Sequence, residues 1–212
     1  SIVGAMILTG VRPVYMQPEI NTRLGIAMGV SAAAVERAVR RHPEARAALL
    51  VYPTYYGVAT ELGRIADLLH AHDMLLFVDG AHGAHFAFSD ELPPSAMAAG
   101  ADLSAESTHK LLGSLTQTSM LLARGGRVPA ERIRAASGIM QSTSPNELLL
   151  TSLDLAREQM AQEGRERLSS AIRCAHELRR RINAIEGLWA FGAECMRRSS
   201  WAWLSFWRCA AL

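Results

Sequence analysis

Apolar positions along this chain alternate between two rhythms: short unbroken runs bounded by Gly, Pro or Asp, and longer stretches with a helical period. Ser1 to Thr9 reads as the tail of an apolar helix, and Arg12 to Met16, after Gly10, as a short strand that gives way to a loop. Ser31 is placed to cap a helix with Ala32 to Val35 and Val39 on one face, closed by Pro43. Ala47 to Tyr52 then reads as a buried strand. A second helix is predicted from about Thr60 to His72, apolar at Leu62, Ile65, Ala66, Leu68 and Leu69, and it feeds the run Leu75 to Val78 that ends at Asp79.

After a His/Gly-rich loop the pattern predicts a short helix from Ser95 to Ala99, a strand near Leu103 to Ser107 and another at Ser119 to Ala123. Strands alternating with helices predict an α/β fold, a mostly parallel sheet flanked by helices. From Asn146 to Ile185 the period is almost wholly helical, with Leu148, Leu149, Leu153, Leu155 and Met160 apolar and a break expected at Glu163-Gly164. The final stretch, Met196 to Leu212, gathers three of the four Trp among Arg, Ser and Cys without a clear period. It reads as a divergent, non-native end in preference to an interfacial anchor. The organisation expected is an α/β part over 1–145, a helical segment over 146–192 and the tail over 193–212.

Composition narrows the possibilities. At 212 residues and 50% apolar, the chain supports one main globular unit. The formal charge of +2 is scattered, without the basic stripe a nucleic-acid binder needs. No run is long enough to span a bilayer, and Ser1 to Gly10 reads as neither a signal peptide nor a natural start. Cys174, Cys195 and Cys209 show no metal spacing, which fits a reducing cytoplasm. Of 22 basic residues 21 are Arg, and Lys110 is the single Lys. A GC-rich coding preference accounts for the bias, but Arg cannot serve as an imine-forming amine and a desolvated Lys can.

Two predicted strand ends carry the reactive residues, where ligands of open α/β sheets bind: Asp79-Gly80-Ala81-His82 and Ser107-Thr108-His109-Lys110. Together they offer an amine, a carboxylate for a pyridinium nitrogen, and hydroxyl and imidazole donors for a phosphate, the groups that hold pyridoxal phosphate. Taken singly, Asp79 reads first as a cap of the next turn, and His82 with His85 as a metal pair or a polar loop, although a third metal ligand is lacking. The Gly-rich surroundings of His82 and His85 suggest close backbone approach to something.

Asp79-Gly80-Ala81-His82-Gly83-Ala84-His85-Phe86, Leu92-Pro93-Pro94-Ser95-Ala96, Gly100-Ala101-Asp102 and Ser107-Thr108-His109-Lys110 occur in series and closely resemble the Orn/Lys/Arg decarboxylase family. Pro53-Thr54-Tyr55-Tyr56-Gly57, and Ser142-Thr143-Ser144-Pro145 with Leu148 to Asp154, resemble two further motifs of that family. The motif resemblance runs from Ser1 to about Gly192. It implies the large domain of a pyridoxal-phosphate enzyme of fold type I, incomplete here, acting on arginine, lysine or ornithine. By the same resemblance Lys110 forms the imine with the cofactor, Asp79 pairs with the pyridinium nitrogen and Ala81 packs against the ring. Ser107 and His109 contact the phosphate, His82 lies near the ring hydroxyl and the substrate carboxylate, and Ser142 and Thr143 reach the phosphate of a partner subunit, which implies at least a homodimer.

Two departures accompany the resemblance. Gly80 stands where the family commonly has an acidic residue, a change expected to alter loop packing more than chemistry. The family's upstream phosphate-binding turn and ring-stacking His, and its C-terminal domain, have no counterpart in this sequence, which therefore reads as a fragment. Competing readings are an inactive or oligomerisation remnant and another fold-type-I enzyme such as a cysteine desulfurase, which needs an accessible, activated Cys. For the distal charge of a basic substrate, Asp90, Glu91 and Glu106 are the acidic candidates.

Overall fold

The structure, a computed structural model, describes residues 2–192. The Trp-rich tail, together with Cys195 and Cys209, lies outside them. A four-stranded sheet of β3 (Ala47–Val51), β4 (Leu75–Asp79), β5 (Leu103–Glu106) and β6 (Met120–Ala123) forms the centre, in that spatial order. The first three strands are parallel and β6 runs antiparallel to β5, so the expected mostly parallel sheet is what forms.

Register assigns the faces. Val51, Asp79 and Ala105 are paired across β3, β4 and β5 and share one face; Leu50, Val78 and Ser104 are paired on the other. The second face is the covered one. Helices α2 (Ala32–Arg41) and α3 (Leu62–His70) lay Val35, Val39, Leu62, Ile65 and Leu69 into a common core with Leu50, Leu76 and Val78. On the Asp79 face, Leu49, Val51 and Leu121 remain exposed.

Helix α1 (Ile2–Thr9) forms where the apolar run predicts it and ends at Gly10, whose φ of +66° suits glycine. Ser31 occupies the N-cap position of α2, though its hydroxyl makes no capping bond and its carbonyl alone accepts from Ala34 and Val35. The strand expected at Arg12 to Met16 does not form: Pro13 has no N–H to donate, and no described strand lies beside the segment. The predicted loop beyond it instead contains an antiparallel hairpin, β1 (Glu19–Asn21) and β2 (Ile26–Gly29). Its turn is held by Asn21 Oδ1 accepting from the amides of Arg23 and Leu24. Ser95 to Ala99 closes one turn through Ala99 N–H to the Ser95 carbonyl at 2.8 Å, but does not extend into a helix.

After β6 come α5 (Ala130–Met140), with no buried residue, and α6 (Glu147–Asn183), capped by Asn146 Oδ1 accepting from Leu149 N–H. The break expected at Glu163-Gly164 is absent, and α6 runs unbroken for 37 residues. Gly164 is buried, and a Cβ there would lie 3.1 Å from both Phe88 Cβ and Met160 Cε. The glycine serves close approach of α6 to the Phe86–Phe88 turn, where Leu168 and Ile172 also rest on the core. Among the described residues no helix is long and apolar enough to cross a membrane.

Candidate active site

The two reactive strand ends meet. Strands β4 and β5 run in the same direction with Asp79 opposite Ala105, and Gly80 N–H continues the ladder to the Ala105 carbonyl at 2.9 Å. The chain therefore delivers Asp79 to Ala81 and Ser107 to Lys110 to the same edge of the sheet. Asp79 is half-buried, and its Oδ1 accepts from Ala81 N–H at 3.1 Å, which aims the carboxylate and leaves its other oxygen for a second donor.

His82 follows on a tight loop closed by Gly83 N–H to the Gly80 carbonyl at 2.7 Å. Burial lowers its pKa first and the positive charge of Lys110 lowers it further, while Asp79 opposes both. One imidazole thus senses both the amine and the carboxylate. Tyr55 stands edge-on to the His82 ring with centroids 5.7 Å apart. Tyr55 belongs to one of the family-like motifs, but sequence reasoning assigns it no role; the spacing between the two segments holds no signal for this contact.

Ser107 N-caps the short helix α4 (Thr108–Leu111), and Lys110 on that helix is exposed. His109 Nδ1–H donates to the Thr118 carbonyl at 2.6 Å, so its tautomer follows from the partner: a carbonyl only accepts, and Nε2 is left for another group. A neutral His109 offers that group a lone pair, and a protonated one offers a second N–H. Thr118 was not among the expected residues. Thr108 is 2% exposed with no hydrogen-bond partner for its Oγ1. Ser142 and Thr143 lie exposed in the α5–α6 connection, where Ser142 Oγ pairs with the backbone of Ser144.

The Gly-rich loop approaches protein and not an open groove at Gly83. A Cβ there would meet the Tyr52 carbonyl at 3.1 Å and Pro53 Cδ at 3.2 Å. His85 points inward, 3% exposed, packed 4.8 Å from the Phe86 ring with neither ring nitrogen hydrogen-bonded. A metal pair with His82 does not follow, since no cluster of three potential ligands exists among the described residues. Of the acids considered for a substrate's distal charge, Asp90 is on the surface paired with Arg165 at 2.6 Å, Glu91 is exposed, and Glu106 is buried. Glu106 alternates with Ala105, so it belongs to the face opposite Asp79. Cys174, the free cysteine of the described part, is exposed on α6.

The family model of the Orn/Lys/Arg decarboxylase major domain matches residues 1–207. The chain belongs to this family. The match runs past Gly192, where the motif resemblance ends. The arginine decarboxylase of Bacillus subtilis (strain 168) is 44% identical over 196 residues, 92% of this chain and 40% of that protein. The arginine decarboxylase of Halalkalibacterium halodurans is 45% identical over the same shares. Lysine decarboxylase A from Pseudomonas aeruginosa superposes with a TM-score of 0.76 at 26% identity, covering 90% of this chain and 29% of that one. This decarboxylase-family chain thus spans about 40% of the length of the curated relatives it matches, and its fold is the fold-type-I large domain in part.

Pyridoxal phosphate, the cofactor of this family, fits the groups at the paired strand ends. An exposed primary amine, a carboxylate with one oxygen to spare, an oriented imidazole and a hydroxyl at the α4 N-cap are the donor set its ring and phosphate require.

Proposed function

We propose that this chain is the central part of a pyridoxal-phosphate-dependent decarboxylase acting on a basic amino acid, residues 1–145 holding the cofactor and 146–192 bracing them. The single observation that carries the reading is the convergence of Asp79, His82 and Lys110 at the ends of β4 and β5, with His82 electrostatically coupled to both partners. Arginine is the favoured substrate, because relatives at 44% and 45% identity are named arginine decarboxylases.

When bound, the cofactor supplies an electron-accepting ring that takes the electron pair left behind as carbon dioxide departs. The residues do the rest. Lys110, exposed at the rim, would hold the cofactor through its amine. Asp79 keeps a proton on the ring nitrogen, so the ring stays electron-poor, and the Ala81 N–H fixes the direction of that carboxylate. Ala81 would pack against the ring. Burial and Lys110 favour the neutral form of His82, the form that would accept a proton and would not repel the Lys110 amine. Ser107 and His109 would hold the phosphate, His109 by donating from Nε2, the ring nitrogen that the Thr118 carbonyl does not engage. Ser142 and Thr143, exposed on the α5–α6 connection, reach a second subunit's phosphate, making the working unit at least a homodimer in the cytoplasm.

The test is release of labelled carbon dioxide from carboxyl-labelled arginine, lysine and ornithine by the cofactor-loaded protein. Release from arginine in preference to the other two supports the reading. Release from none, with cofactor bound at Lys110, would leave a cofactor-binding remnant.

A further inference from the structure

Gly80 separates Asp79 from Ala81 and His82, yet its conformation does not demand glycine: it is absent from the positive-φ residues. Space demands it. A Cβ at residue 80 would lie 2.8 Å from Ser104 Oγ, 3.1 Å from Glu106 Cγ and 3.5 Å from the Ala105 carbonyl. The first two neighbours are buried side chains of β5, 0% and 8% exposed, and Ser104 Oγ–H donates to Glu106 Oε1 at 3.2 Å. Glu106 in turn lies in sequence immediately before Ser107 and four residues before Lys110. The side chain filling the space beneath one reactive strand end is therefore carried by the other.

We propose that Glu106 is a positioning residue whose side chain, packed under Gly80 and held by Ser104, fixes the offset between the Asp79 strand end and the Lys110 strand end. The inference rests on the reading that both ends serve one cofactor. It also explains Gly80: the buried acidic group beneath the loop comes from β5, and residue 80 gives up its side chain to make room. Gly80 N–H to the Ala105 carbonyl keeps the backbones together, while Glu106 sets how far the loop can settle onto β5. Shortening Glu106 removes the support, and adding a Cβ at residue 80 over-fills it. The two changes made together should offset one another, since without Glu106 the Ser104 hydroxyl loses its acceptor and is free to turn from the added Cβ.

The experiment uses the whole chain in four forms: Glu106→Ala, Gly80→Ala, the double variant and Glu106→Gln. Two readouts are taken under conditions where each is folded: the His82 titration followed by proton NMR without cofactor, and pyridoxal phosphate affinity from absorbance. His82 senses Asp79 and Lys110, so it reports their offset. Each single Ala variant should shift the His82 titration and weaken cofactor binding by about tenfold to a hundredfold, the scale of a misplacement near one ångström. Glu106→Gln, which keeps the shape, should restore both, and the double variant should bind more tightly than either single one. If Glu106→Ala lowers only the melting temperature and leaves both readouts at wild-type values, Glu106 merely packs and the proposal falls. It falls equally if the effects of Gly80→Ala and Glu106→Ala simply add. A wild-type chain that takes up no cofactor would overturn the functional reading instead, and the His82 titration would then decide the role of Glu106 by itself.

Discussion

Acidification should destabilise the protein through His85. Its ring is 3% exposed with no hydrogen bond at either nitrogen, and burial drives its pKa down from 6.5 to about 4. In the unfolded chain it protonates near its ordinary value of about 6.5. Between these values the unfolded state binds the proton and the folded state does not, so His85's contribution is intact above the unfolded pKa and declines as pH falls toward the folded one. With a shift from 6.5 to about 4, the loss is about 2 kcal/mol by about pH 5 and tends to about 3 kcal/mol below pH 4. Glu106 works in the opposite sense, because burial raises its pKa although the Ser104 hydrogen bond lowers it. Its share is fully present below its unfolded pKa and is lost as pH rises through the raised one, so the raw profile mixes the two. Comparison with His85→Leu removes the mixture. Replacing an unsatisfied buried polar ring by an apolar side chain is nearly neutral at about pH 7.5. Urea unfolding should then show the variant gaining about 2 kcal/mol on the wild type between about pH 7.5 and about pH 5. A stability difference that stays constant across this range would refute the reasoning.

Other substitutions probe the packing and the site. Gly164→Ala should destabilise the fold by about 1–2 kcal/mol in urea unfolding, even though Ala is the better helix former, because its Cβ would crowd Phe88 and Met160. Asp102→Ala should cost about 2–4 kcal/mol by the same assay, since the buried Asp102 carboxylate accepts from Leu76 N–H at 2.8 Å and pairs with His70 at 2.9 Å. Asp79→Asn should leave the melting temperature within about 2 °C of wild type, as the Ala81 N–H can still find a side-chain oxygen, while the proposed pairing with the ring nitrogen predicts sharply weakened pyridoxal phosphate binding by absorbance titration.

The parallel core was legible because β3 and β4 are short apolar runs, the second ending in Asp79, and the register of β4 with β5 then brings the segment that starts at Ser107 beside that end. The elements that escaped have particular causes. Gly164 looks like a helix break when only local preference is weighed; the contact with Phe88 that explains it lies 76 residues away in sequence. The Gly-rich loop around His82 and His85 suggests close backbone approach to something, and at Gly83 the approaching group is the Tyr52-Pro53 segment. Arg12 to Met16 has strand-like composition but no ladder to join. Helix α5 was not foreseen, since it buries none of its residues and so imposes no strong apolar period. Among the candidate site residues, Asp79, His82, Ser107, His109 and Lys110 are named from their motifs. Tyr55, the Thr118 carbonyl and the Glu106–Gly80 packing arise only from tertiary contact, and no spacing in the chain encodes them.

The central claim, that Asp79 and Lys110 converge on one cofactor, is tested most directly by adding pyridoxal phosphate to the purified chain, reducing with borohydride and mapping the pyridoxyl group by peptide mass. Because Lys110 is the single lysine of the sequence, the location is unambiguous. Stoichiometric labelling of Lys110 is expected, lost in Lys110→Arg and diminished in Asp79→Asn. No label on Lys110, or equal labelling in Asp79→Asn, would contradict it.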